Sequence, residues 1–340
     1  MHYLYTLTST PNDEYYEQFL LSLTSLKLLM PDASVILLCD SKTKENLTGK
    51  RAEYEKLVSQ TITVDAPGDL SQIEASRWVR TSMRRLVKGD FLFLDGDTIV
   101  TGDLSSVAQL GMNFAACLDK HSLINTHSKK DSIINKNDHL GFNSHVSDRH
   151  FNGGVLFCAD TPETHKIFER WHELWLFSKS KKIIRDQPAL NMAIYENPSF
   201  VTELDGIWNC QIAHNGLPYL ANSKIIHYFA SDMVFQSSPF ILASGTTFKR
   251  IKETGLIPQE ISELLKKPRT AFVLESRIIA GDDMLHVINS DFFESVFLMK
   301  KKIPCLFNFF NWLSSIGKKM AKFYMVRKSK NKDGGITFYN

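Results

Sequence analysis

Residues 91–100 read FLFLDGDTIV: four consecutive apolar residues, Phe91 to Leu94, run directly into Asp95, Gly96 and Asp97. A short, wholly apolar run of this kind marks a strand buried on both faces of a sheet. Carboxylates at its end then face a crevice, because ligands of open α/β sheets bind outside the carboxyl ends of the strands. Two carboxylates at i and i+2 can share a divalent cation. Left bare, two such charges about 4 Å apart repel by on the order of 4 kcal/mol at an effective dielectric of about 20, so the pair calls for Mg²⁺ or Mn²⁺. Gly96 permits close approach of another backbone. A solvent-exposed turn is the alternative, and the apolar run in front weighs against it.

Upstream, the β-rich runs HYLYTLT, SVILLCD and QTITVD alternate with amphipathic stretches at residues 14–29 and 70–87. In the second stretch Leu70, Ile73, Trp78 and Leu86 mix with Arg77, Arg80, Arg84 and Arg85, the last two reading as a solvated helix face. This is a βαβ layout with a mostly parallel sheet. Downstream, residues 119–150 are polar, rich in His, Asn and Lys, and too long for an ordinary connection, so they read as an active-site loop or an insertion. His121, His127, His139, His145 and His150 have no tight ligand spacing and decorate it.

Order returns at FNGGVLFC, residues 151–158, a glycine turn feeding a strand, with a hairpin or β-bulge as the plain reading of the glycine pair. A helix over residues 162–178 is opened by Thr161 and Pro162. DQPALN, residues 186–191, starts another, with Asp186 as an N-cap ahead of Pro188. KIIHYF, residues 224–229, is a last buried strand, and PQEISELLKK a helical fragment in the less regular residues 241–299.

The 340 residues are 43% apolar and 23% charged, which excludes disorder and collagen and allows a large core needing no disulfide or metal staple. Cys39, Cys117, Cys158, Cys210 and Cys305 are widely spaced and read as reduced core residues of a cytosolic protein. MHYLYTLTST lacks a basic start and a continuous apolar core, so it reads as a first strand rather than a signal peptide.

Residues 300–340 carry ten Lys or Arg against Asp333, a net of +9, which leaves −6 for the rest of a chain whose formal charge is +3. Nucleic-acid binding is therefore disfavoured. From Pro304 onward Leu306, Phe309, Leu313, Ile316, Met320 and Phe323 form a stripe with Lys318, Lys319 and Lys322 off it. The apolar part is too short to span a bilayer and matches an interfacial anchor on anionic lipid at the inner face of the cytoplasmic membrane; a helix docked on the body is the alternative.

The order of motifs resembles the retaining glycosyltransferases of family 8, the group of glycogenin and the bacterial lipooligosaccharide galactosyltransferases. The resemblance spans roughly residues 1–230 and rests on the first strand and helix, Arg77, the D-x-D at Asp95 and Asp97, FNGGVLF, DQPALN and IIHYF. It implies the GT-A fold, a Rossmann-like, mostly parallel sheet flanked by helices, over residues 1–240. A helical extension at 241–300 then packs on that domain, and a basic amphipathic tail follows at 301–340.

It further implies that Asp95, Asp97 and His227 hold Mn²⁺ (or Mg²⁺) against the diphosphate of a UDP-sugar, while Arg77, with Arg80 as the alternative, contacts sugar and phosphate. Asn152 would hold donor-sugar hydroxyls, with Gly153 and Gly154 letting the chain pass close to the ligand. Asp186 would accept from sugar hydroxyls, Gln187 would lie beneath the anomeric carbon, and Thr8 and Asp40 would dock uracil and ribose. Trp208 and Asn209 resemble the family's downstream asparagine region, with a buried core tryptophan as the plain reading.

The chain departs from the family where H-x-x-G-x-x-K-P-W is expected: it reads HYFASDMVF, without the phosphate-cradling glycine and lysine, and Lys224 stands at no matching position. A satisfied core histidine is the alternative for His227. The implied reaction is metal-dependent transfer of a hexose from a UDP-sugar to a glycan or lipid-linked acceptor with retention of configuration. A sugar nucleotidyltransferase shares the sheet and carboxylates but normally has a glycine-rich loop after the first strand, and LTSTPNDEYY has no glycine. A non-catalytic, membrane-associated sugar-binding protein is the third reading.

Overall fold

The computed structural model describes residues 1–142, 149–230, 240–273 and 290–330, in two compact units, Met1–Ser276 and Arg277–Asn340. In the first unit β1 (His2–Leu7), β2 (Val35–Asp40), β3 (Gln60–Val64) and β4 (Phe91–Leu94) lie parallel, joined by α1 (Tyr15–Leu29), α2 (Ser41–Asn46), α3 (Gln72–Thr81) and α4 (Met83–Leu86). β5 (Thr98–Val100) leaves this sheet. β6 (Phe114–Leu118), β7 (Phe151–Cys158) and β8 (Val201–Glu203) complete seven strands in the order β3-β2-β1-β4-β7-β6-β8. β7 alone is reversed, antiparallel to β4 and β6. This is a helix-flanked, mostly parallel sheet, as the sequence reading expects.

Both faces of the sheet are covered, and the strands alternate between them. Leu92 and Leu94 of β4, with Val155 and Phe157 of β7, pack in one layer with Phe19 and Leu23 of α1. Phe91, Phe93 and Leu156 point into the other, among Trp171 and Trp175 of α6 (Pro162–Ser180) and Leu190 of α7 (Gln187–Tyr195). Each such side chain removed from water contributes about 1.5–3 kcal/mol, which fixes the register because a one-residue slip would exchange the layers. α3 opens on a capping box between Ser71 and Glu74, and Thr161 caps α6 ahead of Pro162 as the sequence predicts.

A three-stranded sheet, β5-β10-β9, closes the end of β4, with β9 (Cys210–Gln211) followed by α8 (Leu217–Leu220) and β10 (Ile225–His227). β10 runs antiparallel to β5 with His227 opposite Thr98. This pairing brings His227 beside Asp97. α9 (Gly245–Thr254) and α10 (Gln259–Leu265) belong to the first unit, with Phe248, Ile251, Ile261 and Leu265 in the α1 layer. The second unit holds the helices Asp291–Lys302 and Pro304–Lys330.

Four sequence expectations change. FNGGVLFC is strand throughout, with its glycines inside β7 rather than in a turn, and there the register against β6 shifts, as in the β-bulge the sequence allows. The polar segment 119–150 contains α5 (Lys130–Leu140). Arg84 is not on a solvated face: it is 1% exposed, donates to Gly89 O at 2.9 Å and stacks on Phe91, while Arg85 is exposed as expected. Four cysteines are free and buried, whereas Cys305 is exposed. His145 and the chain from residue 231 to 239 lie outside the described residues.

Candidate active site

The carboxyl ends of β1 and β4 flank the point where chain order reverses across the sheet, and a cleft of about 420 Å³ opens there. Arg77, Arg80, Asp95, Asp97, Asn152, Gly153, Gly154, Asp186, Gln187 and His227 all line it. Thr8 and Asp40 are not among its lining residues. The Thr8 hydroxyl is buried without a partner, and Asp40 caps α2 by accepting from Thr43 N at 3.3 Å.

One ligand atom each from Asp95, Asp97 and His227 lies within 4.8 Å of the others. Two hard carboxylates with one imidazole suit Mn²⁺. The imidazole is aimed from behind. Asn209 spends its amide N–H on Asn152 Oδ1 at 3.0 Å, so its carbonyl faces His227 Nδ1 at 2.9 Å and accepts that proton. Nε2 is left toward Asp97 Oδ1, 3.2 Å away. Phe229 stacks on the ring at 4.0 Å from a left-handed backbone, φ 52°, a conformation costing roughly 1–2 kcal/mol.

Burial pushes the Asp95 carboxyl up against the pull of Arg80. Burial also opposes charge on Asp97, but His227 and the Ala230 N–H hold its carboxyl below the ordinary value. His227 loses to burial and regains more from Asp97, so its imidazole is raised. The carboxylates thus draw positive charge to the place where a cation would stand. Gly96 is less demanding than its sequence suggests, since a Cβ there would meet Phe19 of α1 at an ordinary 3.6 Å.

Arg80 is the larger structural element of the two candidate arginines. It reaches Asp95 at 3.4 Å and Asp186 at 3.6 Å, donates to Gly153 O and lies over the Phe93 ring. Arg77 Nε sits 3.2 Å from Asp186 Oδ1, an ion pair whose angles fall short of a hydrogen bond, and its guanidinium stays partly open to the cleft. Asp186 makes no side-chain cap on α7; the two arginines hold it instead. Lys224 turns away and donates to Asp103 O at 3.0 Å.

Sequence reasoning missed the buried polar chain behind Asp95, Asp97 and His227. Asn152 Nδ2 donates to Asp119 Oδ1 at 2.8 Å, and His127 donates to Asp119 Oδ2 at 3.0 Å. Asn152 Oδ1 accepts from both Asn209 and Gly154 N, so most of its amide serves the protein rather than a ligand. The anion at Asp119 thereby fixes the direction of every amide back to His227. Burial opposes that charge, yet His127 and Asn152 hold the Asp119 carboxyl down at about 2. His127 and His150, read as loop decoration, are buried and line the cleft, while His121 packs on Tyr219. Their signal was Asp119 itself, an acid directly after a buried strand.

Burial lowers His150 to about 4. Its folded value lies below its unfolded one near 6.5, so between those values the unfolded chain binds a proton the folded chain refuses. Stability is complete above pH 6.5 and falls as pH drops through about 4, by about 3 kcal/mol from this residue. Urea unfolding at pH 7 and pH 4.5 is expected to show that loss, with a smaller loss in His150→Gln. An equal pH slope in the variant contradicts the assignment.

Residues 87–232 match the family model described as Glycosyl transferase family 8. Among solved structures, an active-site mutant of LgtC is 16% identical with a TM-score of 0.49, covering 76% of this chain and 98% of that one. Mouse xyloside xylosyltransferase 1 is 12% identical at 0.46, covering 68% and 99%. The glycosyltransferase GlyE of Streptococcus pneumoniae TIGR4 is 18% identical at 0.46, covering 80% and 66%. No curated protein matches the chain.

Proposed function

We propose, given that residues 87–232 match the family model of Glycosyl transferase family 8, that this chain moves a hexose from a UDP-sugar to a glycan or lipid-linked acceptor, with retention and with Mn²⁺ or Mg²⁺. The carrying observation is the convergence of Asp95, Asp97 and His227 at the end of β4. When bound, the cation neutralises charge developing on the departing diphosphate. Asp95 and Asp97 supply anionic ligands, and His227 a nitrogen whose direction Asn209 sets.

Arg77 presents its fork to the same leaving-group oxygens as a fixed donor. Asp186, held by Arg77 and Arg80 rather than by its helix, accepts from sugar hydroxyls. Gln187, the next residue, lies beneath the anomeric carbon. Thr8 and Asp40, which follow β1 and end β2 outside the lining of this cleft, would dock uracil and ribose only as the family resemblance implies. As the bond from sugar to UDP breaks, the acceptor hydroxyl forms the new glycosidic bond and passes its proton to the leaving phosphate oxygen, so no carboxylate nucleophile is required.

Incubating the purified chain with UDP-hexoses and Mn²⁺ is expected to release UDP, and chelation to stop it. Pyrophosphate release would instead mark a nucleotidyltransferase, and no product at all a sugar-binding protein.

The reading extends to location on the inner face of the cytoplasmic membrane. No helix among the described residues is long and apolar enough to cross a bilayer, but Phe309, Phe310, Trp312 and Leu313 stand exposed beside a run of lysines at 300–302. Each basic residue near an anionic surface contributes about 1 kcal/mol. Removing residues 301–340 is expected to cut cosedimentation with phosphatidylserine liposomes at least roughly tenfold; unchanged binding refutes the anchor.

A further inference from the structure

The cleft has a second charged wall that the donor reading does not use. It is built by α5 and the loop between α6 and α7, and it carries Lys129, Lys136 and Arg185 beside Ile133 and Ile184. Lys136 is half-buried, and burial together with the charges of Arg185 and Lys129 holds its ammonium below the ordinary value. Among the described residues neither Lys136 nor Arg185 has an acidic partner: the carboxylate next to Arg185, Asp186, is held by Arg77 and Arg80. A folded chain that crowds like charges on a concave, partly dry surface gains when an anion enters.

A second observation points the same way. His150, only 4% exposed, lines this cleft within the field of Lys136, and its Nδ1 has no hydrogen-bond partner. A buried polar atom left unpaired costs about 1–3 kcal/mol, and a ligand group in the cleft would satisfy it. The wall also has a defined place in the fold. α5 packs on α7, and α7 on β7, so the wall belongs to the β7 side of β4. The nucleoside half, β1 to β3, lies across β4. Arg185 is one residue from Asp186, and adjacent Cα atoms are about 3.8 Å apart, less than the width of a sugar ring.

We propose that Lys136, Arg185 and His150 form the acceptor subsite, and that it takes an acceptor carrying a phosphate or diphosphate group next to the sugar that is glycosylated. An arginine fork and a lysine point charge together suit a phosphate dianion, while Ile133 and Ile184 cover the carbon-bound face of the ring or chain attached to it. The proposal rests on the donor reading above for its assignment as acceptor rather than donor.

The test is calorimetric titration of the full chain, with and without Mn²⁺ and UDP. The probes are glucose 1-phosphate, glucose 6-phosphate, glucose and farnesyl diphosphate. At least one phosphorylated probe is expected to bind roughly tenfold or more tightly than glucose. That preference should disappear in the Lys136→Ala/Arg185→Ala double variant, whose UDP affinity stays within about twofold of the parent chain. A tighter fit of farnesyl diphosphate identifies a lipid-linked acceptor, and of a sugar phosphate a phosphorylated glycan.

Equal binding of glucose and all phosphorylated probes overturns the subsite, as does a preference that survives the double variant. Loss of UDP affinity in the variant also overturns it, by showing that the wall serves the donor diphosphate. Failure of UDP to bind the parent chain with Mn²⁺ defeats the donor reading instead, and the titrations without nucleotide still decide the anion site.

Discussion

Asp97→Asn is expected to reduce Mn²⁺-dependent UDP release by about a thousandfold or more while the protein remains folded. The substitution keeps the shape of the side chain, and the new amide oxygen can still accept the Ala230 N–H that Asp97 Oδ2 accepts at 2.9 Å. What disappears is one of two negative ligands and the partner that draws charge to His227. A cation acting on a leaving group supplies several kcal/mol, and each 1.36 kcal/mol is tenfold in rate. The carboxylate repulsion is relieved at the same time, so thermal unfolding should move by only a few degrees. Manganese binding followed by electron paramagnetic resonance separates the outcomes: lost activity with lost Mn²⁺ affinity supports the ligand role, and undiminished turnover removes the metal assignment.

The parts of this fold that sequence reasoning reached are those with local signals. FLFLDGD announces a two-sided strand and the acids at its end because the period of burial and the change of polarity occur within seven residues. Thr161-Pro162 announces a helix start in the same local way. The missed features depend on partners distant in the chain. Arg84 looks like a surface arginine, yet carbonyls at Val87, Gly89 and Cys158 surround its guanidinium and Phe91 lies beneath it. The role of Asp119 emerges only when the fold brings Asn152 and His127 to it and Asn209 to Asn152. Asp186 has the sequence of a helix cap, but the arginines of α3 outcompete its own backbone. Local chemistry names the candidates; the sheet order decides which of them meet.

Gly154→Ala should lower manganese affinity by about 10–100-fold with every ligand residue still present. The glycine pair of FNGGVLF sits in the middle of β7, and the space over each residue belongs to a different functional side chain. A Cβ on Gly154 would stand 2.4 Å from His227 Cε1, 2.9 Å from Nδ1 and 3.0 Å from Asn152 Oδ1. The strand cannot retreat: Gly154 O accepts from Asp95 N at 2.8 Å, its N–H is tied to Asn152, and β4 and β6 flank β7. The imidazole must therefore move, leaving Asn209 and its stack on Phe229, and a displacement near 1 Å can cost about a hundredfold in function. Gly153→Ala is the internal control. Its Cβ would meet Arg80 Nη2 at 2.9 Å and Leu190 Cδ2 at 3.1 Å, the far ends of side chains that can give, so its effect on the metal should be smaller. High Mn²⁺ should partly restore Gly154→Ala but not Asp97→Asn, since the first loses aim and the second loses charge. Parent-like affinity in Gly154→Ala would show that His227 is a core histidine and that two carboxylates alone hold the cation.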